Sequence, residues 1–268
     1  MNASRRVFAE GVLDGRVALI TGGGSGLGLA IAREFALLGA STVLVGRSSE
    51  RLEQAVAGLK GIGAQCIGIP ADVRNYDEVD RAVRETVTAF GALDILVNSA
   101  AGNFFCPSAD LTPNGWRSVV DIDLTGTFLC CKAAYQALSQ SRYEGRIISI
   151  ITTLGVTGWP GQAHAGAAKA GILSLSRALA VEWAGKGIHV NTISPGPIAG
   201  TEGTRRLYEQ RRVAELQARR VALGRFGETS DVANAAVYLA SPAGNFITGA
   251  DIVVDGGRWL NYVSGDAQ

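Results

Sequence analysis

The chain has 268 residues, 47% of them apolar, which is enough for one large domain with a sizeable core. Lys and Arg total 25 against 24 for Asp and Glu, so a net charge of +1 gives no reason to expect nucleic acid or a charged membrane as a partner. No apolar run reaches the ~20 residues of a membrane span, and the ends carry no signal or lipidation pattern, so we expect a cytoplasmic protein. The four cysteines lack metal-ligand spacing, so we expect no metal site.

Short β-branched runs alternate with longer helical patterns along the chain. The predicted strands are 16–21, 41–46, 65–69, 93–98, 145–151, 187–193 and 251–256. Several are apolar on both faces, as buried parallel strands are. The predicted helices are 27–39, 51–61, 76–91, 167–185 and 230–240. This order predicts a single α/β domain of the doubly wound Rossmann type, with helices on both faces and a mobile substrate insertion at about 199–222.

A glycine-rich segment follows the first predicted strand and opens a helix. Thr21, Gly22, Gly26 and Gly28 form the pattern T-G-x-x-x-G-x-G. Small residues let the backbone approach a pyrophosphate, and the helix N-terminus offers unpaired N–H groups and the positive end of the dipole. Because the segment lies between a strand and a helix, it indicates a dinucleotide site.

The second predicted strand ends at Gly46 and Arg47 with no acidic residue at its tip. A carboxylate there would accept hydrogen bonds from the adenosine ribose. Arg47 and Ser48 are instead suited to a 2′-phosphate. This favours NADP(H) over NAD(H), the alternative being that Arg47 is a solvated loop charge.

Further motifs follow the glycine pattern in order: Asp72 within ADV, NSAAG at 98–102, Lys169, and PGPI at 195–198. With them, the chain from about 14 to 260 resembles the short-chain dehydrogenase/reductase family. The resemblance implies a seven-stranded parallel sheet and often a homotetramer, for which helices near 117–139 and 167–185 would supply the interfaces. It places Asp72 at the adenine, Lys169 at the nicotinamide ribose and 195–198 at the carboxamide. The implied NADPH/NADP+ site comprises Gly22, Gly24, Ser25, Gly26, Leu27, Gly28, Arg47, Asp72, Val73, Asn98, Ala100, Gly102, Lys169, Pro195, Gly196, Ile198 and Thr201.

The active-site positions depart from the family's usual Asn–Ser–Tyr–Lys set. Here they hold Asp123, Thr152, Ala165 and Lys169, so the phenol is missing. His164 is next to the tyrosine position, but one step along a helix turns a side chain by roughly 100°. We therefore expect His164 to be a substrate-pocket residue or, equally, a packed structural imidazole.

One branch of the family lacks this tyrosine, the 2,4-dienoyl-CoA reductases, and the chain resembles its peroxisomal-type members. The matching stretches are AAGNFFCP (100–107), DIDLTGTF (121–128), ITTLG (151–155), QAHAGAAKA (162–170) and PGPIAGTEG (195–203). Such a reaction needs a proton source near the carbon beside the thioester carbonyl. The resemblance implies a water held by Asp123 and Lys169, with Thr152 as the remaining hydroxyl; the alternative for Asp123 is a helix-surface carboxylate. A mitochondrial-type branch places another tyrosine at the position of Gly155, which this chain lacks.

The resemblance also implies an acyl-CoA substrate. Arg47, Arg74 and Arg206 occupy places where the branch binds CoA phosphates, and Phe104 and Thr112 match positions along the acyl or pantetheine path. Trp159 either walls that path or belongs to the core.

Two other functions stay open at this point. One is a short-chain reductase acting on a carbonyl, such as a 3-oxoacyl thioester or a secondary alcohol, although Ala165 in place of the phenol disfavours it. The other is an NADP-binding protein without turnover, which the missing tyrosine permits.

Overall fold

The computed structural model describes residues 7–201, 204 and 211–260. The predicted strands all form, each within two residues of its predicted limits. They are β1 Val17–Thr21, β2 Ser41–Gly46, β3 Cys66–Pro70, β4 Ile95–Asn98, β5 Gly145–Ile150, β6 Ile188–Pro195 and β7 Asp251–Val254. They pair in the order β3-β2-β1-β4-β5-β6-β7, and every pair is parallel.

The helices of the described chain are α1 Gly26–Leu37, α2 Ser49–Lys60, α3 Tyr76–Phe90, α4 Pro113–Val120, α5 Gly126–Leu138, α6 Leu154–Thr157, α7 Ala163–Trp183, α8 Arg211–Arg219 and α9 Thr229–Ala240. Side chains set several of these limits. Asn75 accepts from the backbone N–H groups of Asp77 and Glu78 at the start of α3, and Gly91, at φ 80°, ends that helix in the left-handed conformation. Sequence reasoning began α7 four residues late, because the small residues of its first turn have no amphipathic pattern.

A π-helical turn, Asp121–Thr125, joins α4 to α5. The single helix expected near 117–139 is therefore two helices, and it begins earlier because Thr112 caps its N-terminus and Pro113 occupies the first turn. Wide turns of this kind occur often at functional sites, because they re-aim one side chain within a helix. Here the turn carries Asp123.

Two buried apolar clusters cover the faces of the sheet. Neighbouring residues of β1 belong to opposite clusters: Ile20 packs with Phe35 of α1, and Leu19 packs with Val83 of α3. This alternation is the period of two that a strand requires. With both faces covered, the carboxyl edge of the sheet remains open where β1 and β4 are neighbours and the strand order reverses, which is where doubly wound sheets bind ligands.

Candidate active site

A cleft of about 720 Å³ opens at the carboxyl edge of the sheet. It brings together most of the predicted cofactor residues, namely Gly22, Gly24, Ser25, Gly26, Leu27, Gly28, Arg47, Asp72, Val73, Ala100, Gly102, Lys169 and Thr201. A second cavity of about 210 Å³ shares Leu27, Ile151 and Thr201 with the cleft. Its lining includes the predicted Thr152, Pro195, Gly196 and Ile198. The two cavities therefore form one continuous site.

Two glycines of the glycine loop are packed too closely to accept side chains. A β-carbon on Gly22, which has φ +66°, would lie 2.8 Å from the Ser99 carbonyl oxygen, and one on Gly28 would lie 2.5 Å from the Gly22 oxygen. By contrast, a β-carbon on Gly26 would meet nothing within 4 Å, since it faces the open cleft. The loop thus presents bare backbone to the cleft at the start of α1, as a pyrophosphate site requires.

The hydroxyl of Thr21 fixes this loop to the segment after β4. It accepts from the backbone N–H groups of Ser99 at 3.1 Å and Ala100 at 3.2 Å. The side chain of Asn98 does not line either cavity; its amide donates to Ser149 Oγ at 3.2 Å under the sheet edge. Asn98, which was predicted at the cofactor, therefore lies beside the cleft and does not line it.

Two guanidinium groups line one end of the cleft. Arg47 was predicted there, and Arg51, on the first turn of α2, was missed because it lies in an ordinary amphipathic helix pattern. Ser48 caps α2 by accepting from the Arg51 backbone N–H at 3.3 Å. This end of the cleft therefore carries positive charge beside the tip of β2.

Asp72 lines the same cleft but is already engaged by Arg74. Arg74 Nε lies 3.0 Å from Asp72 Oδ1, and the guanidinium holds the pKa of the Asp72 carboxyl below its usual range. Arg74 is not among the described residues that line the two cavities. The predicted CoA contact of Arg74 would require the pair to rearrange. Arg206 lies outside the described residues.

A buried ion pair lies next to the cleft: Lys169 lines it, whereas Asp123 is not among the residues that line either cavity. Asp123 is 1% exposed; its Oδ1 accepts from the Gly102 backbone N–H at 2.7 Å, and its Oδ2 lies 2.9 Å from Lys169 Nζ. Lys169 also donates to the Ile150 carbonyl oxygen at 3.2 Å. The carboxylate is therefore not at a helix surface, because the π-helical turn aims it inward. Two opposite charges held this close in a dry site can orient a water between them and a substrate.

The tyrosine position holds a residue without a functional group. Ala165 is 3% exposed and ends at its β-carbon. Gly155, the other candidate position for a phenol, packs against α7: a β-carbon there would lie 2.9 Å from the Ala170 nitrogen and 3.1 Å from the Lys169 carbonyl carbon. Neither position supplies a side-chain acid, whereas Thr152 places a hydroxyl at the edge of the second cavity.

Comparison with known proteins identifies the family to which this fold belongs. The family model described as Enoyl-(Acyl carrier protein) reductase matches residues 22–258. A solved short chain dehydrogenase from Bacillus anthracis superposes with a TM-score of 0.83 at 39% identity, covering 92% of this chain and 97% of that one. The chain belongs to the short-chain dehydrogenase/reductase family. This family consists of oxidoreductases.

Among the most similar curated members of this family are two named 2,4-dienoyl-CoA reductase, which differ in the position of the double bond in the product. The peroxisomal 2,4-dienoyl-CoA reductase [(3E)-enoyl-CoA-producing] of Arabidopsis thaliana is 44% identical over 95% of this chain and 88% of its own length. The probable 2,4-dienoyl-CoA reductase [(2E)-enoyl-CoA-producing] of Bacillus subtilis (strain 168) is 41% identical over 93% of this chain and 98% of its own length. The similarity therefore spans nearly the whole of this short-chain dehydrogenase/reductase.

The residues predicted to contact the substrate lie in several different environments. His164 was expected to be either a substrate-pocket residue or a packed structural imidazole; its ring is fully buried and packs edge-on against Phe104 at 4.5 Å between ring centroids, as in the second alternative. Phe104 itself is 41% exposed at the mouth of the site. The Thr112 hydroxyl accepts a hydrogen bond from the Gly115 backbone N–H at 3.1 Å and so caps the N-terminus of α4.

Three further residues surround the second cavity. Gln162 accepts from Asn103 Nδ2 at 2.8 Å, and Arg258 lies over the ring of Trp159 at 5.3 Å from its centroid. Of these, the sequence indicated only Trp159, since no motif marks the segment after β7. Within the described ranges, no helix is long and apolar enough to cross a membrane, and no three His, Cys, Asp or Glu residues cluster as metal ligands would.

Proposed function

We propose that the protein is an NADPH-dependent 2,4-dienoyl-CoA reductase that converts a dienoyl thioester into an enoyl thioester. One observation supports the proposal: Lys169, which lines the cofactor cleft, is paired with the buried Asp123, while Ala165 occupies the chain position where a carbonyl reductase of this family has its phenol. A carbonyl-reducing enzyme needs an acid beside the new alkoxide, and Ala165 supplies none at the tyrosine position. The names of the two curated relatives support the same substrate class.

The cleft suits NADPH in particular. Arg47 and Arg51 line its adenosine end, and guanidinium groups bind phosphate in a bidentate manner. The one carboxylate among the cleft-lining residues, Asp72, is held by Arg74. A 2′-phosphate therefore meets cations at this end, whereas a bare ribose diol meets no unengaged carboxylate.

The bound nicotinamide supplies a hydride. Addition of that hydride to the far carbon of the conjugated system moves electron density to the thioester oxygen, so a dienolate forms. A water held by Asp123 and Lys169 then gives a proton to the carbon beside the carbonyl, and the Lys169 ammonium returns a proton to the resulting hydroxide. One hydride and one proton are added, and the remaining double bond lies between the third and fourth carbons.

Asp123 orients the Lys169 ammonium. Its carboxylate fixes Lys169 on one side and the Gly102 backbone on the other, so the ammonium cannot turn away from the cleft. We propose Thr152 as a hydroxyl donor toward the thioester. On the CoA side, we propose that Arg47, Arg74 and Arg206 contact phosphates, with Phe104 and Thr112 along the acyl path, and that the reaction serves the β-oxidation of unsaturated chains.

One assay tests the proposal. Purified full-length protein is mixed with NADPH and 2,4-hexadienoyl-CoA, then separately with acetoacetyl-CoA, and cofactor absorbance is followed. Oxidation that depends on the dienoyl thioester is expected. Oxidation with acetoacetyl-CoA alone would show a carbonyl reductase, and cofactor binding without turnover on either compound would show a non-catalytic nucleotide-binding protein.

A further inference from the structure

The glutamine at the start of α7 does not cap its helix. Gln162 is the residue before the first turn, with φ −134° and ψ 33°, and its side chain makes no hydrogen bond to the helix. Short side chains such as Ser, Thr, Asp and Asn are preferred at this position, because their oxygen reaches the N–H groups of the first turn. The Gln162 side chain therefore serves something other than the helix end.

A neighbouring loop fixes the direction of the Gln162 amide. Its Oε1 accepts a hydrogen bond from Asn103 Nδ2 at 2.8 Å. The backbone is held as well, since Cys106 donates its N–H to the Gly161 carbonyl oxygen at 2.9 Å and Gly166 donates to the Gln162 carbonyl oxygen at 2.9 Å. Because the oxygen and the nitrogen of an amide lie on different sides of one planar group, the bond from Asn103 turns the NH2 group away from that loop.

The Nε2 group of Gln162 faces the second cavity. Gln162 is 3% exposed and is one of the residues that line this cavity of about 210 Å³. Nε2 makes no hydrogen bond to a described residue, and it is not among the buried polar atoms that lack both a partner and access to solvent. The opening to solvent is therefore the cavity itself, and the N–H donors of the amide are available there.

The second cavity offers few other side-chain donors for a ligand. Thr152 lines it together with Gln162. Arg258, the one charged residue among its described lining, lies over the Trp159 ring at 5.3 Å and donates to Gln217 Oε1 at 3.3 Å, so the protein itself engages it. A neutral, oriented amide and a hydroxyl suit an acyl oxygen that gains negative charge during a reaction.

We infer that Gln162 is a catalytic residue, whose Nε2 donates a hydrogen bond to the thioester oxygen while the dienolate forms. Asn103 is the positioning residue, because it turns the amide so that the donor, and not the acceptor, faces the cavity. The inference rests on the proposed reductase function and adds a second donor to the Thr152 hydroxyl. Donors fixed in advance stabilise the developing charge without reorganising, while the Asp123–Lys169 pair serves the carbon beside the carbonyl.

The structural test does not depend on turnover. A crystal structure of the full-length protein with NADP+ and 2,4-hexadienoyl-CoA is expected to place Gln162 Nε2 within hydrogen-bond distance of the thioester oxygen. An amide bonded instead to the nicotinamide carboxamide, or one that touches neither group, would overturn the inference even if the protein reduces dienoyl-CoA. An inert wild-type protein that shows the Gln162 contact would contradict the proposed function alone.

The kinetic test replaces Gln162 by methionine, which has nearly the same length and no N–H group. We expect kcat with 2,4-hexadienoyl-CoA to fall by roughly 10²–10³-fold, the effect of removing one donor from a developing oxyanion. KM should change by less than about threefold, because the lost bond is strongest in the transition state. Gln54→Met is the matched control: Gln54 lies on the exposed face of α2, bonded to Glu50, so its loss should leave kcat unchanged.

Two changes at Asn103 separate positioning from packing. An aspartate there only accepts hydrogen bonds, so it draws the NH2 group of Gln162 toward itself and turns the carbonyl oxygen into the cavity. An alanine leaves the amide free to turn either way. We therefore expect kcat to fall at least about tenfold further in Asn103→Asp than in Asn103→Ala.

Three results would overturn the inference. The first is wild-type kcat in Gln162→Met. The second is a raised NADPH Kd with unchanged kcat in that variant, which would mean that the amide binds the nicotinamide and not the thioester. The third is equal losses of turnover in Asn103→Asp and Asn103→Ala together with a lowered Tm, which would mean that Asn103 only packs the two loops together.

Discussion

Replacing Asp123 by asparagine removes the charge next to the cleft and changes the shape of the side chain least. The amide can satisfy only one of the two contacts, since its nitrogen must face either the Gly102 N–H or the Lys169 ammonium. The loss of one charge-assisted hydrogen bond costs about 1.5–3 kcal/mol of unfolding free energy. At about 2–4 °C per kcal/mol for a chain of this size, Tm should fall by roughly 3–12 °C, so the variant stays folded at 25 °C.

The effect of Asp123→Asn on turnover should be larger than its effect on stability. A positioned acid–base group contributes about 10²–10⁴-fold to a rate, or about 2.7–5.4 kcal/mol of barrier. We therefore expect kcat with 2,4-hexadienoyl-CoA to fall by at least about a hundredfold, while the NADPH Kd, measured by fluorescence titration, stays within about threefold. Asp123→Ala should lose as much activity and more stability, about 3–5 kcal/mol, since it leaves Lys169 buried without its partner.

Asp121 is the matched control for this prediction. It lies in the same π-helical turn but is exposed to solvent. Asp121→Asn should keep wild-type kcat and Tm. Turnover within about threefold of wild type in a folded Asp123→Asn protein would refute the reasoning, since no proton-transfer role is worth so little.

Three further predictions test other parts of the site. Arg47→Asp should weaken NADPH binding about 10–100-fold, because a charge-assisted contact is lost, but it should not weaken NADH binding. Equal losses of affinity for the two cofactors in a fluorescence titration would exclude a 2′-phosphate contact. Gly155→Ala should cost about 1–3 kcal/mol of unfolding free energy in urea titrations and lower kcat, because its β-carbon would press on the α7 backbone beside Lys169. Gly58→Ala, in α2 with open space around a new β-carbon, should not destabilise the fold, and equal effects of the two changes would contradict the packing argument. Burial lowers the pKa of His164, so the unfolded state binds more protons than the folded state below about pH 6.5. The unfolding free energy of the wild type should therefore fall below this pH relative to that of His164→Gln. Parallel curves of unfolding free energy against pH would contradict this.

The sheet and its cofactor cleft could be predicted because their signals are local. Runs such as STVLVG are apolar on both faces, and the glycine pattern needs no distant partner to be recognised. The positions of Asp123 and Lys169 in one site followed from family resemblance. Their 2.9 Å contact depends on a π-helical turn, which the residue pattern of DIDLTGTF does not predict.

Other features of the site depend on tertiary packing and left no sequence signal. The choice between a pocket residue and a packed imidazole stayed open for His164, because a single sequence cannot show that Phe104 packs against its ring. The ion pair that holds Arg74 to Asp72 is local, because the two residues are two positions apart, and it was missed because each residue had been assigned to a different ligand. The homotetramer and the cytoplasmic location stay predictions.

The central claim is that solvent held by a carboxylate and an ammonium delivers the proton to the reduced acyl chain. A crystal structure of the protein with NADP+ and 2,4-hexadienoyl-CoA tests it most directly. We expect one ordered water in hydrogen-bond contact with Asp123 and Lys169 and facing the carbon beside the thioester carbonyl. An acyl group whose reactive carbons lie away from this pair, with no ordered solvent between them, would contradict the account.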